Sequence, residues 1–297
     1  MRRLSGPDIL TQLNGFMELA RSLSLNPSAG RFRTYQERIE HYLAAHERSK
    51  STGEFSYLRD EETELDYITA LTRAVLVGDA LEYLKICDTT ILRNKLEIAL
   101  KGPDLAKDEN ARSSSNRARN IAFELYLGAN LWRAGLRPRQ GEHPDIMCNV
   151  DDRDIYIECK RPLSSEGLQQ GINEAKRQFS RCRKGAPPGT RGVIAVDITR
   201  MLYDPTMLLR APGENLSRDR LKKELEATGK GAFVKLGGLT PRRLIGGLFY
   251  AMTPIWSQEE RKFVVGQYSV AQDLAPEGTT DWRVFSEFYK ALKRIEF

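Results

Sequence analysis

Asp145, Glu158 and Lys160 are the residues whose types and spacing most directly suit chemistry. They lie in two short runs of alternating apolar and polar residues, Asp145–Val150 and Ile155–Lys160. The turn-forming stretch Asp151-Asp152-Arg153-Asp154 joins the runs, a pattern that predicts a hairpin. Side chains alternate faces along a strand. One face therefore collects Ile146, Cys148, Val150, Ile155, Ile157 and Cys159. The other collects Asp145, Met147, Asn149, Asp154, Tyr156, Glu158 and Lys160. Pairing Val150 with Ile155 places Asp145 opposite Lys160 and diagonal to Glu158. Two carboxylates and an ammonium at one end of a face suit a divalent cation: Mg²⁺ takes hard oxygen ligands, one or two carboxylates plus substrate phosphate. A neighbouring lysine can orient a water and offset charge developing on phosphorus. An exposed sheet face carrying a lysine–carboxylate pair worth under ~1 kcal/mol accounts for the same spacing.

The flanking elements decide what surrounds this hairpin. A helix is predicted over Asn116–Trp132, with an inner stripe of Ile121, Leu125, Gly128, Ala129 and Trp132, ended by Gly135. It carries Glu124 among apolar neighbours. A second helix, Ser165 to Arg183, buries Leu168, Ile172, Ala175, Phe179 and Cys182 at spacings of four and three, and carries Gln178. Arg191–Thr199 then holds a nearly continuous apolar run, suited to a strand covered on both faces. The order helix, strand, strand, helix, strand predicts an α/β core. Beyond it, a helix near Leu216–Thr228, strands at Leu244–Met252 and Lys262–Val270, and a terminal helix with Val284, Phe285, Phe288 and Leu292 extend the sheet and cover one face.

Taken in order, Glu124, Pro144-Asp145, Glu158-Cys159-Lys160-Arg161-Pro162 and Gln178 resemble the PD-(D/E)xK nuclease superfamily. The resemblance spans residues 116–200, under a third of the chain, and singles out no subfamily. It implies a restriction-endonuclease-like core with a mixed central sheet flanked by helices. It further implies that Asp145, Glu158 and the backbone carbonyl of Cys159 hold the metal, with Lys160 beside the attacking water. By the same resemblance Glu124 is the helix acid that completes or orients the metal site, and Gln178 supports the site or touches backbone phosphate. The implied cofactor is Mg²⁺, with Mn²⁺ as its substitute. The implied activity is phosphodiester hydrolysis, in DNA above all, leaving 5′-phosphate and 3′-hydroxyl ends. The alternative is a catalytically silent nucleic-acid-binding or complex-forming module that keeps the nuclease fold.

Charge supports a polyanion partner only once it is divided along the chain. The 297 residues carry a formal net charge of +6. Residues 1–110 are net −3, 111–200 net +6 and 201–297 net +3, so the basic excess surrounds the candidate acids. Arg117, Arg119, Arg139, Arg161, Arg177 and Arg181 are the expected phosphate contacts; such side chains bind backbone without reading sequence. Residues 1–110 read as a mostly helical accessory domain, built on a periodic run from Leu65 to Leu76 and a segment Ile91–Leu100 stopped by Gly102-Pro103. That region is the expected surface for a homodimer or protein partner. The polar stretch Lys107–Asn116 is the candidate linker to a nuclease-like domain over 111–297, with its core at 116–200 and an extension at 201–297.

Other residues carry blander readings. Four cysteines without a CxxC pair fit free thiols in a reducing cytoplasm. No signal peptide or membrane span is visible, since the apolar stretch Leu244–Trp256 falls short of the ~20 residues a membrane helix needs. His143 reads as an exposed loop histidine, with a general-base role as the alternative. For Glu142 the alternative to a plain loop acid is that it replaces or supplements Glu124 as the extra acid. Asp151, Asp152 and Asp154 read as turn residues, Asp197 as a strand-end residue, and the Cys159 side chain as core.

Overall fold

The structure, a computed structural model, describes residues 6–52, 80–102, 117–203, 209–211, 214–234, 243–257 and 262–294. The helical run Leu65–Leu76 and the linker Lys107–Asn116 lie outside the described residues. The chain divides into two compact units, Met1–Tyr126 with Pro205–Leu209, and Leu127–Asp204 with Arg210–Phe297.

In the first unit, helices α1 (Gly6–Ser22), α2 (Arg31–Thr52) and α3 (Thr89–Ala99) bury an apolar set that includes Leu13, Phe16, Phe32, Tyr35, Ile39, Leu92 and Leu96. The Phe16 and Phe32 rings meet at a tilt of 40° with centroids 4.8 Å apart, and Phe32 meets Tyr35 edge-on at 5.6 Å. The α3 start is set by Asp88, whose side chain accepts from the Thr90 and Ile91 N–H groups. Its end is followed by Gly102 at φ 103, as the Gly-Pro signal predicts. Helix α4 (Arg117–Arg133) contains the boundary between the units. Trp132, placed by periodicity on its inner stripe, is 37% exposed; the buried run instead spans Phe123–Leu131.

The second unit is α/β. Its sheet comprises β1 (Arg139–Gln140), β2 (Ile146–Val150), β3 (Arg153–Lys160), β4 (Arg191–Asp197), β5 (Leu209–Ala211), β6 (Leu244–Ser257) and β7 (Lys262–Asp273). The order is β1-β2-β3-β4-β6-β5, with β7 also paired to β6. β3 is antiparallel to β2 and parallel to β4, so the sheet is mixed. Parallel neighbours need a crossover, and α5 (Ser165–Cys182) supplies the one between β3 and β4. Its stripe of Leu168, Ile172 and Ala175 packs with Ile194 and Val196 of β4, Phe249 of β6, and Leu225 of α6 (Glu214–Val234). The opposite face is covered by α7 (Thr280–Lys293), where Phe285 lies against Gly246 so closely that no Cβ fits. The sheet thus lies between helical layers.

The hairpin keeps its predicted faces but not its predicted register. Val150 pairs with Arg153, Cys148 with Ile155 and Ile146 with Ile157. The cause is the turn: Asp151 and Asp152 both take positive φ, 48° and 59°. That is the two-residue type I′ connection whose twist matches the strands, and Arg153 and Asp154 join β3 instead of the loop. A two-residue slip leaves every side chain on its original face.

Candidate functional site

β2 begins at Ile146, opposite Ile157, so Asp145 is level with Glu158 instead of Lys160. Here β3 outruns its neighbour, and the Asp145 carboxylate takes the place of a ladder partner. Its Oδ2 accepts from the Cys159 N–H at 2.7 Å. The Asp145 carbonyl in turn accepts from Gly141 N at 3.0 Å. In an extended residue N–H and C=O face the same side, so the Cys159 carbonyl faces the side on which Asp145 lies. The Cys159 side chain is buried in the apolar face, as expected.

Glu158 is 1% exposed on the face covered by α5. Lys160, two residues on, runs its methylenes past Gly171 of α5 and donates from Nζ to Gln178 Oε1 at 2.7 Å. The ammonium is therefore fixed by the amide that the sequence pattern placed on the following helix. One turn beyond Gln178, on the same helix face, Cys182 lies near the acids. Burial, and after it the Glu158 carboxylate, push its thiol up. Tyr156 shares the face. Burial and then Asp154 push its phenol up, while Arg139 acts in the opposite direction.

His143 is exposed, as read from sequence, yet it is brought to the acids. One ring nitrogen of His143 and one carboxylate oxygen each from Asp145 and Glu158 lie within 4.8 Å of one another. Donors sharing an octahedral cation at about 2.1 Å stand about 3.0 Å apart when adjacent and about 4.2 Å when opposite. The 4.8 Å bound on the cluster is about 0.6 Å wider than the span of opposite donors. Two carboxylates and an imidazole are, moreover, donors that a divalent cation accepts. Strand alternation carries no signal for His143, which lies in the bend ahead of β2; its only mark in the sequence is its place directly before Pro144-Asp145.

The other expected site residues are placed as follows. The Glu124 carboxylate accepts from Lys95 Nζ at 2.8 Å within the first unit, both side chains being buried. Arg119 is 1% exposed, which leaves a phosphate no surface on its guanidinium. Arg161 is also buried, and its Nε donates to Asp197 Oδ2 at 3.2 Å. Asp197, at the end of β4, additionally accepts from the Thr199 N–H at 3.0 Å and joins the strand to the short helix Thr199–Leu202. These two arginines are thus corrected from phosphate contacts to interior groups. Arg117, Arg139, Arg177 and Arg181 are exposed. Glu142 is exposed as well, and Asp151 and Asp152 form the turn. Among the described residues, no helix is long and apolar enough to cross a membrane. Comparison with family models, with curated proteins and with solved structures gave no match.

Proposed function

We propose that the protein is a divalent-cation-dependent nuclease of the PD-(D/E)xK type, with a restriction-endonuclease-like core, hydrolysing phosphodiester bonds in DNA. The observation that carries the reading is a convergence. Asp145 and Glu158 present oxygens within 4.8 Å of each other, and the Lys160 ammonium of the same sheet face is held at 2.7 Å by Gln178. Asp145, Glu158 and the Cys159 carbonyl would hold the cation. Bound there, Mg²⁺ or Mn²⁺ supplies charge that offsets what develops on the transferred phosphoryl group. Lys160 orients the attacking water and adds a second positive charge, and Gln178 keeps its ammonium from swinging to solvent. Asp145 is steadied by the Cys159 N–H, so the carboxylate is preorganised before substrate arrives. Arg139, Arg177 and Arg181 offer exposed guanidinium groups to the DNA backbone, so binding weakens steeply with salt.

The test is cleavage of plasmid and linear DNA by the purified full chain with Mg²⁺ or Mn²⁺. Lys160→Ala and Asp145→Asn lower the rate at least about 100-fold with unchanged thermal melting, in line with losing one preorganised group from a phosphoryl-transfer site. Cleavage by both variants at the wild-type rate overturns the reading. DNA binding that is salt-sensitive, needs no cation and leads to no cleavage favours the silent binding module instead.

A further inference from the structure

We propose that His143 is a third protein ligand of the Asp145–Glu158 site, and that the site therefore prefers a first-row transition cation such as Mn²⁺ to Mg²⁺. The inference rests on the reading of those two carboxylates as cation ligands and adds a nitrogen donor to them. A purely carboxylate site suits Mg²⁺, which is hard, small and reluctant to give up water. An imidazole nitrogen changes the donor set to one that first-row transition ions accept more readily.

The placement of His143 follows from the chain around it. Asp145 is tied at both ends of its residue: its carboxylate to the Cys159 N–H at 2.7 Å, and its carbonyl to Gly141 N at 3.0 Å. The loop between Gly141 and Asp145 is consequently closed. A Cβ at Gly141 would collide with the Pro144 carbonyl oxygen, so glycine is what allows the loop to fold back this tightly. Within that closed loop His143 projects to the side of Asp145, and its ring nitrogen reaches the 4.8 Å cluster. The ring is exposed while Glu158 is buried, so the nitrogen donor sits at the solvent side of the group and the Glu158 carboxylate at its floor. Because the His143 side chain is exposed, its substitution leaves the core packing untouched.

The experiment uses the full chain stripped of metal by a chelator. Mn²⁺ and Mg²⁺ binding are measured by calorimetry, and the Mn²⁺ complex by electron spin-echo spectroscopy, which detects a directly bound ¹⁴N. Wild type is expected to bind Mn²⁺ more tightly than Mg²⁺ and to show ¹⁴N modulation. His143→Asn is expected to weaken Mn²⁺ binding by about tenfold or more, to change Mg²⁺ binding by less than about twofold, and to abolish the modulation. If Asp145→Asn abolishes binding but His143→Asn leaves Mn²⁺ affinity and the spin-echo signal unchanged, His143 is not a ligand and the carboxylate reading stands alone. If neither cation binds, or binding survives Asp145→Asn and Glu158→Gln, both readings fall.

Discussion

Gly192→Ala is a one-methyl perturbation that tests how the core holds the candidate site. Gly192, the second residue of β4, lies between Tyr156 of β3 and Leu244 of β6, next to a register shift in the β4–β6 ladder. A Cβ there would meet the Phe179 ring at 2.7 Å from Cε2 and 2.8 Å from Cδ2 and Cζ. Comfortable carbon–carbon contact is about 3.5–4.0 Å, so the ring must retreat by roughly 0.8–1.3 Å. Phe179 is buried and adjoins Gln178 on α5. A retreat of that size drawn along the helix stretches the 2.7 Å Lys160–Gln178 bond to or beyond the hydrogen-bond limit. Overpacking a core costs about 1–3 kcal/mol, while replacing glycine stiffens the unfolded chain and returns about 0.4–1 kcal/mol. The net expectation is a loss of about 1–2 kcal/mol, read as a lower urea midpoint at constant slope. Phe179→Leu removes the ring atoms in the way, so the double variant should be more stable than the sum of the singles by about 1 kcal/mol. An unchanged midpoint for Gly192→Ala, or an additive cycle, refutes the argument.

Two further outcomes follow from named contacts. Lys95→Met removes the ammonium that faces the buried Glu124 carboxylate and should cost about 3–5 kcal/mol in denaturant unfolding, with most of it recovered in Lys95→Met/Glu124→Leu; a loss below about 1 kcal/mol for the single variant contradicts a buried pair. Cys182 should alkylate slowly at pH 8, because its raised thiol pKa lowers the thiolate fraction. Burial raises both Cys182 and Cys87, but Glu158 adds to it only at Cys182, so Glu158→Gln should accelerate Cys182 relative to Cys87; equal ratios in both proteins, read by peptide mass spectrometry, contradict the Cys182–Glu158 proximity.

What the sequence made legible follows the reach of each signal. Helical periodicity located α5 to within a residue, because Leu168, Ile172, Ala175 and Phe179 pack one face against a sheet and leave the other polar. The same periodicity misplaced Trp132, since a helix buried around most of its circumference has no single inner stripe to read. Charge type was legible but its environment was not. Arg119 and Arg161 look like surface cations in one dimension; only the fold reveals that Asp197, far along the chain, faces Arg161. Glu124 was correctly singled out as an acid among apolar neighbours, but the sequence carries no mark tying it to Lys95. Strands as short as β1 and β5 leave too few residues for an alternating pattern to register.

The hairpin separates what parity can establish from what register requires. Alternation depends only on odd or even position, so membership of the Asp145–Glu158–Lys160 face survives any even slip. Register depends on the turn, and the four polar residues 151–154 are compatible with a four-residue loop or with a two-residue turn flanked by ladder positions. The left-handed backbone at Asp151 and Asp152 selects the second. The consequence is chemical as well as geometric. Under the longer loop, Lys160 would lie directly across from Asp145 and an ion pair between them would compete with any cation for that carboxylate. With the shorter turn, Asp145 is level with Glu158, its Oδ2 is set by the Cys159 N–H, and the Lys160 ammonium turns to Gln178. Two aspartates with no ligand role in the sequence reading thus decide which groups the carboxylates face.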